Sequence, residues 1–253
     1  MILSGRREGG VKQHVEGELA SIDRCPAFAG LSLEARRALV HMCHPVQFST
    51  NQRIVSIVEP LTRIFVLLEG RAKLAGVTES GVERILHVYQ PGEIIGSRVL
   101  LEQSPESPFE VVAMSEVDAL AIAKRDFLAA AREYPEILTR VTRALLERID
   151  RMADWVLAAM SSDATVRLAK LLLDFAVDRD ASLGELVALK YPLTHETMAQ
   201  MIGASRPHTT SLLRTLEEKD AVRRLKPRGL LVCPERLKRI LHPADAIESR
   251  RVG

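Results

Sequence analysis

At 253 residues, with 47% hydrophobic and 27% charged side chains, the chain is long enough for two hydrophobic cores and too apolar for a disordered segment. No apolar stretch approaches the roughly eighteen residues needed to cross a bilayer, and no apolar run follows Arg6 and Arg7, so the sequence predicts a cytoplasmic protein without a signal peptide. The net charge of +2 conceals an asymmetry: from Tyr191 onward there are twelve basic and seven acidic residues, against 23 and 26 before it. A basic C-terminal module on a slightly acidic body is the layout of a polyanion binder with a separate sensing part.

Residues 1–24 read as an N-terminal extension. Cys25, Cys43 and Cys233 are scattered, which argues against a disulfide framework or a structural zinc site and fits a reducing compartment. A short helix is expected in "SLEARRALVHMC", with Ser32 as its N-cap. Between about Pro45 and Phe127, runs such as "IFVLLEG", "RAKLAGV", "RILHVY", "FEVVAM" and "DALAIA" alternate with turn signals every eight to twelve residues, the pattern of an antiparallel sandwich or barrel. A β-rich domain is therefore expected over 25–134.

From Pro135 the period becomes helical and stays so for about 25 residues, which predicts one long helix over 135–160. Leu138, Val141, Leu145, Met152, Val156 and Ala159 form a near-heptad stripe, and this spacing predicts pairing with a second copy of the chain. A third part follows over 161–253. It opens with a helix capped by Ser162 or Asp163, passes through a polar, loop-like interval at 178–189, and reaches "THETMAQMIGASRPHTTSLLRTLEEKDAV".

That last stretch carries the function. Thr194 caps a helix with Met198, Met201 and Ile202 on its buried side, Gly203 supplies the left-handed turn, and Ser205 caps the next helix. Pro207 is tolerated because it lies in the first turn, where its missing N–H has no partner to lose. Leu212, Leu213 and Leu216 make the inner face. Arg206, His208, Thr209, Thr210, Ser211 and Arg214 are left for the outer one, and these hydrogen-bonding side chains suit phosphate oxygens and base edges in a major groove. Lys226 and Arg228, in a tight "KPRG" turn between two short strands, read as the wing that touches the duplex backbone. Together with Thr194 and Ser205, these are the candidate DNA-binding residues.

With these pieces in order, the chain from about Cys25 to Leu241 resembles the superfamily of the cyclic-AMP receptor protein and the fumarate-nitrate reduction regulator. "FAGLSLEARRAL" resembles the family's entry helix, "EPLTRIFVLLEGRAKL" its barrel segment, "PGEIIG" the loop leading into the effector pocket, and "LTHETMAQMIGASRPHTTSLLRTLEEKDAV" its helix-turn-helix. The resemblance implies an α+β fold: an N-terminal antiparallel β-barrel of the cyclic-nucleotide-binding, jelly-roll type, which makes 25–134 the effector-sensing domain, a dimerisation helix and a C-terminal winged helix-turn-helix. It also implies a homodimer on a double-stranded DNA operator, with RNA polymerase as a further partner, and a bacterial transcription regulator rather than an enzyme. No P-loop, HExxH or GxSxG motif stands in the sequence.

The departures concern the signal. Asn51 and Val58 stand where relatives often have turn glycines. Glu93, beside Gly92, matches the family carboxylate that meets a ribose hydroxyl, but Ser107 and Pro108 stand where cyclic-AMP binders have Arg-Ser on the phosphate. A lost charge-assisted contact of about 1.5 to 3 kcal/mol argues against cyclic AMP as the effector, unless Arg98 reaches in instead. An iron–sulfur cluster lacks its cysteines. Haem stays open as an alternative through His41, Cys43, His44 or His87, as does redox sensing at Cys25 or Cys43. These residues leave the cofactor unknown. A cyclic-nucleotide-type regulatory subunit of an enzyme is the remaining alternative, and it does not account for the basic helix-turn-helix.

Overall fold

The computed structural model describes residues 25, 27–100, 107–160, 163–182, 184–225 and 229–241. The chain divides into two compact units, Met1–Arg151 and Met152–Gly253. The division falls within the helix Glu136–Ala159.

In the first unit, α1 (Leu33–Met42) begins as expected, with the Ser32 hydroxyl accepting from the Ala35 amide. Eight strands follow: β1 (Cys43–Phe48), β2 (Arg53–Val55), β3 (Arg63–Glu69), β4 (Ala72–Val77), β5 (Glu83–Tyr89), β6 (Ile94–Ile95), β7 (Glu110–Ala113) and β8 (Val117–Ala123). They make two four-stranded antiparallel sheets, ordered β1-β8-β3-β6 and β2-β7-β4-β5. Ile64, Val66, Ile95, Leu120 and Ile122 from one sheet and Val55, Ala72, Val111 and Ala113 from the other join a single hydrophobic cluster. Burying such side chains contributes about 1.5 to 3 kcal/mol each, and this is what holds the sheets together.

The two turn departures resolve differently. Asn51 has φ 68°, so asparagine keeps the left-handed backbone that a glycine would otherwise supply. Val58 is outside the left-handed region and is 73% exposed.

A helix that the sequence pattern did not announce, α2 (Lys124–Glu133), follows β8. Its N-cap is Ala123, which makes no side-chain capping bond, so the usual start signal is missing; burial of Phe127, Ala130 and Ala131 stabilises it instead. Then comes α3 (Glu136–Ala159), 24 residues long, close to the expected 135–160.

The second unit contains α4 (Ala164–Asp174), α5 (His195–Ile202), α6 (Arg206–Glu218) and α7 (Pro234–Leu241), with a sheet of β9 (Val187–Ala188), β10 (Val222–Leu225) and β11 (Gly229–Val232). Asp163 caps α4 through the Thr165 amide at 2.7 Å; the alternative cap Ser162 lies outside the described residues. The interval expected to be loop holds β9, which pairs with β11 and gives the order β10-β11-β9. Two residues are too few to display a strand period. Leu168, Leu171, Leu172, Met198, Ile202, Leu213, Leu216 and Leu237 are buried in this unit.

Candidate nucleic-acid interface and sensor site

Two consecutive caps set the geometry of α5 and α6. The Thr194 hydroxyl accepts from the Thr197 amide at 3.0 Å, Gly203 closes α5 at φ 68°, and the Ser205 hydroxyl accepts from the His208 amide at 3.3 Å. Arg167 of α4 donates to the Ile202 carbonyl at 2.9 Å, satisfying one of the acceptors that the end of α5 leaves over. Pro207 sits in the first turn of α6, and Leu212, Leu213 and Leu216 face inward, as the sequence predicts.

On the outer face, Ser205, Arg206, His208, Ser211 and Arg214 are exposed and Thr210 is half-buried. Thr209 is a correction: it is fully buried and its hydroxyl donates to the Ser205 carbonyl at 3.0 Å, so it belongs with the leucines and cannot reach a duplex. The error came from residue type, since a threonine hydroxyl can return its hydrogen to the i−4 carbonyl and pack its methyl inward. Lys226 and Arg228 lie outside the described residues. The flanking strands place two further basic residues there, Arg223 and Arg224, both exposed on β10.

His195 was not singled out from the sequence. Its Nδ1 is 2.9 Å from the Thr210 hydroxyl, which ties the first turn of α5 to α6. A cleft of about 660 Å³ opens beside it, lined by Thr194, His195, Arg206, Arg224 and apolar side chains including Leu193 and Leu231. Burial, then the charges of Arg224 and Arg206, hold the imidazole below its usual pKa.

The first unit contains a second polar cluster, around Glu93. Its carboxylate contacts His87 Nε2 at 3.1 Å, accepts from the Gln90 amide at 2.8 Å and from Arg151 Nη2 at 3.3 Å, and lies 4.0 Å from Arg148 Nε. Arg148 is buried. Its Nη2 donates to the Ile94 carbonyl at 2.8 Å and its guanidinium sits 4.9 Å from the centre of the Tyr89 ring, which His87 meets edge-on. Cys25 donates its thiol hydrogen to the Gly92 carbonyl at 2.8 Å, and burial pushes this thiol up to about 11. Burial likewise works to raise the Glu93 pKa, but the hydrogen bond and charge of His87, the Gln90 amide and Arg148 outweigh it and leave the carboxyl below its usual value.

Of the other sensor residues, Gly92 is buried in the turn before Glu93 with φ 91°. Ser107 is also buried, its hydroxyl donating to the Phe109 carbonyl at 2.6 Å. Arg98 is exposed on the 3-10 turn Ser97–Leu100, and the guanidinium groups at Glu93 are those of Arg148 and Arg151 instead. His41 and His44 are exposed, Cys43 is buried and His87 is taken up by Glu93. Among the described residues no three His, Cys, Asp or Glu side chains gather to hold a metal ion, and no helix is long and apolar enough to cross a membrane.

The stripe assigned to pairing is also corrected. Val141 is 1% exposed and, with Ile137, packs into the core of its own protomer; Leu145 is partly buried against the same core. Both of these rows fit a near-heptad spacing, so periodicity alone does not tell the inner row from the outer one. The row left open contains Leu138, Leu146, Ile149 and Val156, 42 to 59% exposed. Met152 is half-buried, and the Ala159 side chain lies outside the described residues.

The chain matches the family described as "Cyclic nucleotide-binding domain" over residues 45–134 and the "Crp-like helix-turn-helix domain" over residues 166–240. It is 25% identical over 217 residues to the CRP-like cAMP-activated global transcriptional regulator of Mycobacterium tuberculosis, covering 85% of this chain and 96% of that one. It is 27% identical over 176 residues to the global nitrogen regulator of Nostoc sp., covering 69% and 79%. In fold it is similar to the c-di-GMP responsive global regulator CLP of Xanthomonas campestris, with a TM-score of 0.68 at 15% identity over 80% of this chain and 100% of that one.

Proposed function

The chain belongs to the CRP/FNR superfamily of DNA-binding transcription regulators, and from that premise we propose that it is a sequence-specific, homodimeric regulator whose sensor domain does not take cyclic AMP in the usual way. The supporting observation is the exposed row Arg206, His208, Ser211 and Arg214 on a helix held from below by Leu212, Leu213 and Leu216. In this reading Arg206 and His208 meet base edges, Arg206 also lining the cleft where the DNA backbone meets Thr194 and Arg224, while Ser205, Ser211, Arg214 and the wing residues Lys226 and Arg228 meet phosphates; the Thr210 hydroxyl gives its hydrogen to the Arg206 carbonyl and supports the helix instead. The working domains are the sensor, 25–134, the pairing helix, 135–160, and the DNA-binding domain, 161–253. RNA polymerase is the expected further partner in the cytoplasm.

Pairing is assigned to the open row of α3. Leu138, Leu146, Ile149 and Val156 follow one another at intervals of eight, three and seven residues along one side, and a second copy of the same helix is the natural cover for such a row.

The sensor reading rests on saturation. The M. tuberculosis relative is named as cAMP-activated. In this chain Glu93 already serves His87, Gln90 and Arg151, and Ser107 is tied to Phe109, so a sugar hydroxyl or phosphate arriving there would have to displace internal partners. These residues do not fit a cyclic nucleotide.

In vitro selection from a random duplex library tests the whole reading. A partly palindromic site should emerge for the wild-type protein, and Arg206→Ala should lose selectivity at one position of each half-site. Recovery of no enriched sequence would overturn the assignment, and isothermal titration with cyclic AMP should show no heat of binding.

A further inference from the structure

His195 is a neutral-leaning imidazole in the cleft where, in the reading above, the DNA backbone arrives. Its hydrogen bonding decides which ring nitrogen is available. The Thr210 hydroxyl has one hydrogen and donates it to the Arg206 carbonyl at 3.0 Å. The contact at 2.9 Å between Thr210 and His195 therefore has Nδ1–H as its donor, and Nε2 is the nitrogen that can take up a proton. Protonation adds a donor at Nε2 and removes nothing from the bond joining α5 to α6.

The surroundings make that proton conditional. Arg206 from α6 and Arg224 from β10 share the cleft with His195, together with Glu196 on its own helix and the phenol of Tyr191. Glu217 stands 3.4 Å from Arg224 and offsets part of its charge. With the cleft open to water, two guanidinium groups oppose a third cation. A phosphate seated between Arg206 and Arg224 reverses that opposition, because an anion within about 4 to 6 Å favours a charged imidazole.

We propose that His195 is a proton-linked backbone contact: it gains a proton at Nε2 when a duplex phosphate enters the cleft between Arg206 and Arg224, so that the protein grips DNA more tightly as pH falls. This rests on the DNA-binding reading and adds a residue and a pH dependence to it. The free-state pKa is depressed by burial and the two arginines, and the bound-state value is higher, so uptake is confined to the window between them. For one proton per protomer the affinity changes by at most about tenfold per pH unit.

Because the contact is to phosphate, a random-sequence 30-base-pair duplex is a sufficient probe. Fluorescence anisotropy at fixed salt, from pH 8 to pH 6, should show the wild type tightening by about fivefold to tenfold more than His195→Asn, which keeps a short donor for Thr210 but has no titratable ring. His208→Asn, run alongside, removes the exposed histidine of α6 and should keep the wild-type slope. His195→Arg, with a permanent charge, should bind with a flat pH profile and more tightly than wild type at pH 8. Calorimetry in buffers of different ionisation heat should register proton uptake in the wild type and its loss in His195→Asn. An unchanged slope in His195→Asn, or weaker binding by His195→Arg at pH 8, overturns the proposal while leaving the DNA-binding reading intact. No duplex binding by any of the proteins at any pH removes both.

Discussion

Replacing Glu93 by glutamine should cost far more than its partly polar setting suggests, because of what it leaves behind. Arg148 has a side chain 10% exposed, and Glu93 is 18% exposed and 4.0 Å from its Nε, which makes no hydrogen bond of its own. Without the carboxylate, a buried guanidinium keeps its Ile94 carbonyl and Tyr89 ring but loses its counter-charge, and removing one member of a buried pair typically costs about 3 to 5 kcal/mol. Arg151, half-exposed, turns to water and limits no part of that loss. The reverse change, Arg148→Met, removes the buried charge and its unsatisfied Nε together, and leaves Glu93 with His87, Gln90 and Arg151; about 1 to 2 kcal/mol is expected from the lost carbonyl and ring contacts. The double variant should therefore be more stable than Glu93→Gln alone. Calorimetric melting of the four proteins at pH 7 measures the cycle. If Glu93→Gln costs under about 0.5 kcal/mol, or the two changes add, the two side chains are not energetically coupled and the argument fails. The pH profile supplies the sign: the Glu93 carboxyl is depressed in the folded chain, so its contribution is present above the ordinary carboxylate pKa and fades as pH falls through the lower folded value. Glu93→Gln should lack that acid limb.

Three further outcomes bear on the other assignments. Arg224→Ala should weaken binding to all duplexes alike and lower the slope of log affinity against log salt by about one, read by anisotropy at several salt concentrations. Ile149→Glu, on the open row of α3, should shift the protein from dimer to monomer in light scattering with the melting of the sensor unit unchanged, whereas Val141→Glu should unfold that unit. Thr209→Val should leave operator affinity within about twofold of wild type, since the buried hydroxyl serves only the Ser205 carbonyl; Ser211→Val, exposed two residues on, should not.

Most of the framework could be read from residues whose local chemistry permits one answer. Ser32, Thr194, Ser205 and Gly203 each announce a helix boundary, and each stands at one. Strands β3, β5 and β8 were visible as apolar runs between turn signals. What escaped lacked such marks: α2 starts on an uncapped alanine, and β9 is two residues long. The candidate site divides the same way. Arg206, the leucine underside and the inward place of Thr209, which stands three, four and seven residues before Leu212, Leu213 and Leu216, follow from helical spacing, while the place of His195 and the approach of Arg148 to Glu93 depend on contacts 15 and 55 residues apart in the chain, which no local pattern encodes.

The Arg148 contact matters beyond stability because of where it sits on its helix. One side of α3 carries Ile137, Val141 and Arg148 against the sensor core; another carries Leu138, Leu146 and Ile149 into solvent. Both rows belong to one helix, so in the proposed dimer a change in how Glu93 holds Arg148 that shifts the backbone of α3 would move the open row with it. Any signal that competes for Glu93 or for the guanidinium groups around it, whether a proton, an anion or a cationic ligand, would then act on subunit pairing through the same two rows. The link is allosteric if α3 takes two positions with different contacts, and a change in pairing is how those positions would be read. It also predicts a dependence: Arg148→Met, which unties the inner row without touching the outer one, should alter the dimer dissociation constant measured by sedimentation. An unchanged constant would mean that the two rows are read separately and that the signal reaches the DNA-binding residues by another route.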